Sequence, residues 1–370
     1  MARTDRIAYF GARLFDGFVF AEDRALLVEE GRVAAIVPIE ERPYDARQVD
    51  LGGGVLSPGF VDWQVNGGGG VLFNDDPTPE GISKLSAAHR AAGTTTIVST
   101  VITDEKRVLD AALKAARAAR APIHVEGPFL DARRKGVHRA DLIRPMLDAD
   151  VAALIGAHTG PMIVTLAPSV VSLAHIKALT TAGIVVSLGH SEASVQQAFA
   201  AFDAGARAVT HLFNAMSQMN AREPGLVGAA LARQGIFCGL IADGLHVADA
   251  AMTVAIAAKG AGGIALVSDS MPTAAGGPGT FSLQGRTIKR ERGRLTDEAG
   301  TLAGADIVMR DAVAYCAVNR GVPLADALKM ATSTPARLLG LESSIGTLSP
   351  GAEAQLVHLS DDLDLLAVFG

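Results

Sequence analysis

The stretch Ile184-Val185-Val186-Ser187-Leu188-Gly189-His190-Ser191, followed by Ala206-Arg207-Ala208-Val209-Thr210-His211-Leu212-Phe213-Asn214-Ala215-Met216, decides how this chain is read. Each histidine closes a short run rich in β-branched residues. Between the runs, Ala193 to Ala204 carries helical periodicity, with Ser191 or Ser194 available as its cap. Strand, helix, strand is a parallel crossover, which sets both imidazoles at the carboxyl ends of neighbouring strands. Open and closed α/β sheets keep their chemistry there. Glu126 ends an earlier run of the same kind, Ile123-His124-Val125-Glu126. Two imidazoles and a carboxylate from three strand ends form a catalytic metal set with one position open.

Working outward, apolar runs and amphipathic segments alternate, and eight strand ends can be placed. They are Phe60 to Asn66, Thr94 to Val98, Ile123 to Glu126, Met162 to Ala167, Ile184 to His190, Ala208 to His211, Phe237 to Ala242 and Ile264 to Asp269. Arg107 to Ala118 and Ala248 to Ala258 read as intervening helices, which argues for an α/β class (β/α)8 barrel over residues 56–335. Residues 1–55 instead alternate short strands with Asp16-Gly17, Glu30-Gly31 and Gly52-Gly53-Gly54 turns. Residues 336–370 share that texture, so the two chain ends are expected to pair into one small β-sandwich domain. After the eighth strand, Pro272 to Gly279 and the strand-like Phe281 to Leu295 suggest a lid beside the barrel mouth. Asp306 to Ala317 and Leu324 to Ala331 are expected to be the closing helices.

Composition narrows the function. The chain is 49% hydrophobic with 40 glycines, a balance that favours packed layers over disorder. A net charge of −6 without a Lys/Arg cluster argues against nucleic acid as a partner. No apolar run approaches the roughly 18 residues of a membrane span, so no membrane partner is expected. The charged start Met1 to Arg6 does not resemble a leader, and Cys238 and Cys316 read as reduced core residues of a cytoplasmic protein.

Zinc suits an imidazole–carboxylate set, with ferrous iron or manganese as alternatives. Asp269 would face the open metal position and move a proton from water to a leaving group. His138, in the loop after the third strand, could donate to a carbonyl oxygen gathering negative charge. His124 shares the strand face of Glu126 but sits deeper, and reads as an interior hydrogen-bonded histidine. Gln64 and Asn66 occupy the place where related barrels carry His-x-His, and the fourth strand lacks a bridging lysine, so one metal is expected. His89, His158, His175 and His358 have no evident partners and read as structural or solvent-facing.

The motifs Pro58-Gly59-Phe60-Val61-Asp62-Trp63-Gln64-Val65-Asn66-Gly67, His124-Val125-Glu126-Gly127-Pro128-Phe129, Leu188-Gly189-His190-Ser191, Thr210 to Met216, Arg222-Glu223-Pro224-Gly225 and Ala242 to Val247 resemble the N-acetylglucosamine-6-phosphate deacetylase family of the amidohydrolase superfamily. That resemblance implies zinc on Glu126, His190 and His211, with Asp269 as base and acid and His138 on the acetyl carbonyl. It implies that Asn214 and His246 contact a sugar phosphate and that Arg222 reaches the phosphate from the partner subunit of a homodimer. Val137, Ala215, Asp243 and the Leu302-Ala303-Gly304 turn would complete the pocket. Ser270-Met271-Pro272-Thr273 departs from the alanine-rich run of that family, which bears on whether the glucosamine or galactosamine epimer is preferred. A cyclic amide and a non-catalytic sugar-phosphate sensor are the remaining alternatives.

Overall fold

The computed structural model describes Arg6 to Gly370; Met1 to Asp5, part of the charged start, lie outside the described residues. Its centre is an eight-stranded all-parallel sheet in sequence order: Phe60–Val65, Thr94–Ile102, Ile123–Glu126, Met162–Leu166, Val185–Leu188, Ala208–Val209, Phe237–Leu240 and Ile264–Leu266. Every residue of the first, third, fourth, fifth and sixth strands is buried, as expected where both sheet faces are covered. The cylinder closes just beyond the eighth strand. There Asp269 N donates to Gln64 O and Asn66 N to Ser270 O, each at 3.0 Å.

Local chemistry explains the helices. Val195–Asp203 starts at Ser194, whose hydroxyl accepts from Gln197 N while the Gln197 side chain accepts from Ser194 N. Ser191 is therefore not the cap; its hydroxyl lies 3.0 Å from that of Ser169. The helix expected from Asp306 begins only at Met309, because Leu302–Ala305 is still a strand, and it widens into a π-turn at Tyr315–Asn319. The segment after the eighth strand is a four-stranded antiparallel sheet, Thr280–Leu283, Arg286–Glu291, Arg294–Thr296 and Leu302–Ala305. Two-residue turns at Gln284-Gly285 (φ 49° and 82°) and Arg292-Gly293 (φ 51° and 79°) join its first three strands.

The chain ends meet as expected. Leu356–Leu359 runs antiparallel to Val55–Pro58, in a five-stranded sheet that also holds Leu365–Phe369, Arg13–Phe15 and Phe20–Ala21. A four-stranded sheet containing Arg6–Phe10 and Arg24–Glu29 packs on it through Leu14, Leu26, Val28, Leu56 and Leu356. Inside the barrel, a Cβ on Gly239 would lie 2.7 Å from the Trp63 ring and 3.1 Å from His211 N, so only glycine lets the seventh strand pass this close to the Trp63 indole and the His211 backbone.

Asp62 fastens the closing seam from within. It accepts from Gln64 N at 3.2 Å, from Ser268 N at 3.3 Å and from the Ser268 hydroxyl. Burial outweighs these bonds and pushes its carboxyl from 3.8 up to about 7. The folded protein thus keeps a proton that the unfolded chain has released. The stability this lends is full below the unfolded value and is lost as pH rises through the folded one. Asp62→Asn, a stand-in for the neutral carboxyl, is expected to flatten that decline. In denaturant titrations the parent should lose unfolding free energy relative to the variant between about pH 4 and about 7.

Candidate active site

Glu126 ends the third strand, and His190 and His211 each lie two residues past the fifth and sixth. The Nε2 atoms of the two histidines are 3.1 Å apart and lie 3.2 Å and 3.0 Å from one oxygen, Oε1 of Glu126. All three residues are buried. His190, His211 and Asp269 have φ of 45°, 31° and 47°, a left-handed backbone that costs ordinary residues energy and recurs where side chains must be aimed.

Proton accounting shows what this cluster suits. His190 Nδ1 donates to the Arg134 carbonyl at 2.9 Å, so in the neutral ring Nε2 is a lone pair. That lone pair faces a carboxylate oxygen and a second imidazole. Burial alone would raise Glu126; with no cation present, only protons on Nε2 of His190 and His211, through the hydrogen bonds and charge they bring, hold it well below the usual carboxylate range. A bare imidazole nitrogen thus faces a carboxylate oxygen, an arrangement that a divalent cation satisfies. Glu126, His138 and His190 also present ligand atoms within 4.8 Å of one another. In His138, however, Nδ1 accepts from Thr103 N at 3.3 Å and lies 2.8 Å from the Thr103 hydroxyl. Burial, and then His190, keep that ring neutral, which leaves its proton on Nε2. Such a ring is a hydrogen-bond donor, so His211 is the better third ligand.

Asp269 stands across the mouth. Its Oδ1 accepts from the Asn66 amide at 2.7 Å and the Gln64 amide at 3.0 Å, and the same Gln64 amide donates to Glu126 Oε2 at 3.2 Å. Burial, followed by the Glu126 charge, pushes Asp269 up to about 6. His124 is an interior residue: Nε2 lies 2.7 Å from the Thr165 hydroxyl, its ring stacks on Trp63, and burial pulls it down to about 4. His89 is buried with Nε2 3.0 Å from Gly67 O, a partner the sequence does not suggest.

A cavity of about 500 Å³ joins Glu126, His190, His211 and Asp269 to His138, Val137, Asn214, Ala215, His246, Leu302 and Gly304. Three expected residues are not in its lining. Asp243 lies behind His246 and bonds its Nδ1 at 2.6 Å, which leaves His246 Nε2 buried without a partner among the described residues. Ala303 points into the apolar cluster of Leu283, Ile288 and Leu295, because alternate residues of a strand face opposite sides. Arg222 is exposed outside the cavity. Arg133, Arg134, Ile102, Met271 and Thr301 line the site without having been expected. Arg134 orients His190 through its carbonyl, a role no side-chain pattern announces.

The amidohydrolase family model matches residues 55–369. The chain belongs to the amidohydrolase family. An N-acetylgalactosamine-6-phosphate deacetylase of Shewanella sp. (strain ANA-3) is 36% identical over 97% of this chain and 93% of its own. An N-acetylglucosamine-6-phosphate deacetylase of Haemophilus influenzae is 32% identical over 98% and 97%. The crystal structure of N-acetylglucosamine-6-phosphate deacetylase from Pasteurella multocida superposes with a TM-score of 0.94 at 32% identity, covering 98% of both chains. Amidohydrolases are metal-dependent, and the Glu126, His190 and His211 donors form a cluster that fits a metal ion.

Restoring a divalent metal ion to chelator-treated protein is expected to raise its stability, by about 2.7 kcal/mol at a hundredfold excess over Kd. His211→Ala should lose both that gain and the bound metal, read by thermal melts and metal analysis.

Proposed function

We propose that this amidohydrolase removes the acetyl group of N-acetyl-D-glucosamine 6-phosphate, giving D-glucosamine 6-phosphate and acetate. The observation that carries the reading is the opposition, within one cavity, of Asp269 to the Glu126–His190–His211 cluster, with a neutral His138 beside them. Near-full-length similarity to deacetylases of this type supports it. The catalytic unit would be the 56–335 barrel, entered only after Pro58 because Val55–Pro58 pairs in the terminal sheet, with the described part of 1–55 and 336–370 as its supporting β domain.

Glu126, His190 and His211 would hold one ion, most simply zinc, which when bound supplies Lewis acidity to the attacking water and the acetyl carbonyl. Asp269 takes a proton from that water as its oxygen adds to the carbonyl carbon. His138 Nε2–H donates to the carbonyl oxygen as negative charge gathers there. The C–N bond then breaks, and Asp269 returns its proton to the departing amine. A carboxyl pushed upward by burial suits a group that must both take and give a proton.

The sugar phosphate would lie along Asn214, Ala215, Val137, His246 and the Leu302–Gly304 wall, with Asp243 aiming His246 at it. Arg222, exposed and outside this cavity, would serve the neighbouring site of a homodimer; its planar fork of donors suits a phosphate dianion. A cytoplasmic location accords with two free buried cysteines and with the lack, among the described residues, of a helix long and apolar enough to cross a membrane.

The galactosamine epimer is a second reading, favoured by the Shewanella relative. Acetate release from both N-acetylamino-sugar 6-phosphates tests the function; greater kcat/KM on the galactosamine substrate would transfer the assignment to that epimer. Asp269→Asn is expected to lower kcat on the order of a thousandfold. Zinc content and phosphosugar binding should persist in that variant, whereas loss of zinc would recast Asp269 as a ligand.

A further inference from the structure

The four-stranded sheet inserted after the barrel grips both sides of the mouth. Its last strand is fixed to Asp269: Ala305 N donates to Asp269 O at 2.9 Å, and Met271 N to Ala305 O at 3.1 Å. Its first hairpin reaches the opposite side. There the Gln284 side-chain amide donates to Thr103 O at 2.7 Å and to Asp104 Oδ2 at 3.0 Å. Two residues on, the Arg286 guanidinium donates to Val137 O at 2.5 Å. Thr103 and Val137 are not arbitrary landing points. The N–H and hydroxyl of Thr103 hold Nδ1 of His138, and Val137 is the chain neighbour of His138. One hairpin tip therefore clamps the two segments that fix this imidazole.

We infer that Gln284 and Arg286 are positioning residues, which hold His138 with its Nε2–H aimed at the reacting carbonyl. The inference rests on the deacetylase reading for the identity of that carbonyl. A purely structural role is already filled by other contacts. Leu283, Ile288 and Leu295 pack against Ile102, Val137 and Met271 and secure the hairpin without either polar side chain. What the polar pair adds is directional: two donors aimed at backbone carbonyls, one on the residue that precedes His138 and one on the residue that bonds its Nδ1. A misplacement of about 1 Å in a catalytic group can cost on the order of a hundredfold in rate, so modest loosening at this distance should be visible.

The turn permits a clean test. Gln284 and Gly285 have φ of 49° and 82°, a conformation that Asn adopts readily. Gln284→Asn therefore keeps the turn while shortening the side chain by about 1.5 Å. Arg286→Met removes the other donor and keeps the stem, and Arg286→Lys restores a donor.

Steady-state kinetics of the zinc-loaded enzyme, with each variant made alone and with His138→Asn, decide the point. Gln284→Asn and Arg286→Met are each expected to lower kcat roughly tenfold and leave KM within about twofold, with Arg286→Lys recovering part of the loss. In the His138→Asn background neither should lower kcat further. A full loss in that background, or no loss in the single variants, would overturn the inference. Imidazole nitrogen NMR of histidine-labelled enzyme gives a reading that does not depend on turnover. The His138 Nε2–H signal should shift or broaden in both variants while the His246 Nδ1–H signal, held by Asp243, stays in place, and an unmoved His138 signal counts against the clamp. If the parent released no acetate from either epimer, the deacetylase reading would fail and the NMR result would still judge the positioning.

Discussion

Two imidazoles and a carboxylate pressed together in a buried barrel mouth are the constraint on which this structure turns. His190 spends its one proton on the Arg134 carbonyl, so it meets the Glu126 oxygen 3.2 Å away with an electron pair. His211 adds a second ring nitrogen 3.0 Å from the same oxygen. Such a cluster is unfavourable in a low-dielectric interior unless protons or a cation supply the missing positive charge. The protein keeps it because the barrel fixes the three strand ends from which it grows.

That fixing has identifiable costs. Both histidines and Asp269 sit in left-handed backbone, and the surrounding strands hold them there through bonds such as Asp131 N to His190 O at 2.9 Å and Asp269 N to Gln64 O at 3.0 Å. The seam between the first and eighth strands is joined by Asp62 below and by the amides of Gln64 and Asn66 above. Those amides do two things at once: they close the cylinder and they orient the Asp269 carboxylate. Gln64 also reaches Glu126, so the candidate base and the candidate ligand set share one hydrogen-bond donor.

Much of this could be read from the sequence. The strand ends carrying Glu126, His190, His211 and Asp269 were legible because buried parallel strands are continuous apolar runs, and a polar residue terminating such a run stands out. The interior role of His124 followed from strand alternation. What escaped was chemistry carried by backbone or by tight turns. The Arg134 carbonyl has no side-chain signature, and the Thr103 N–H that sets the His138 tautomer has none either. The inserted sheet was read as one strand-like stretch because Gln284-Gly285 and Arg292-Gly293 are weaker hairpin signals than Asn-Gly or Asp-Gly. Ala303 was expected in the pocket because the turn was taken whole, whereas alternation in a strand turns every second side chain away.

The pairing of Val55–Pro58 with Leu356–Leu359 carries a consequence for how the molecule is made. On the ribosome, the early strand emerges with one edge bare and must wait for the whole barrel to be synthesised before its mate arrives. Barrel units assembled from neighbouring segments can form during that interval, whereas this sheet can be completed only once Leu356–Leu359 and Leu365–Phe369 have emerged. The small domain is therefore zipped up from segments made far apart in time, and a nascent chain stalled short of Leu356 would display an unmatched β edge open to chaperones or to other stalled copies.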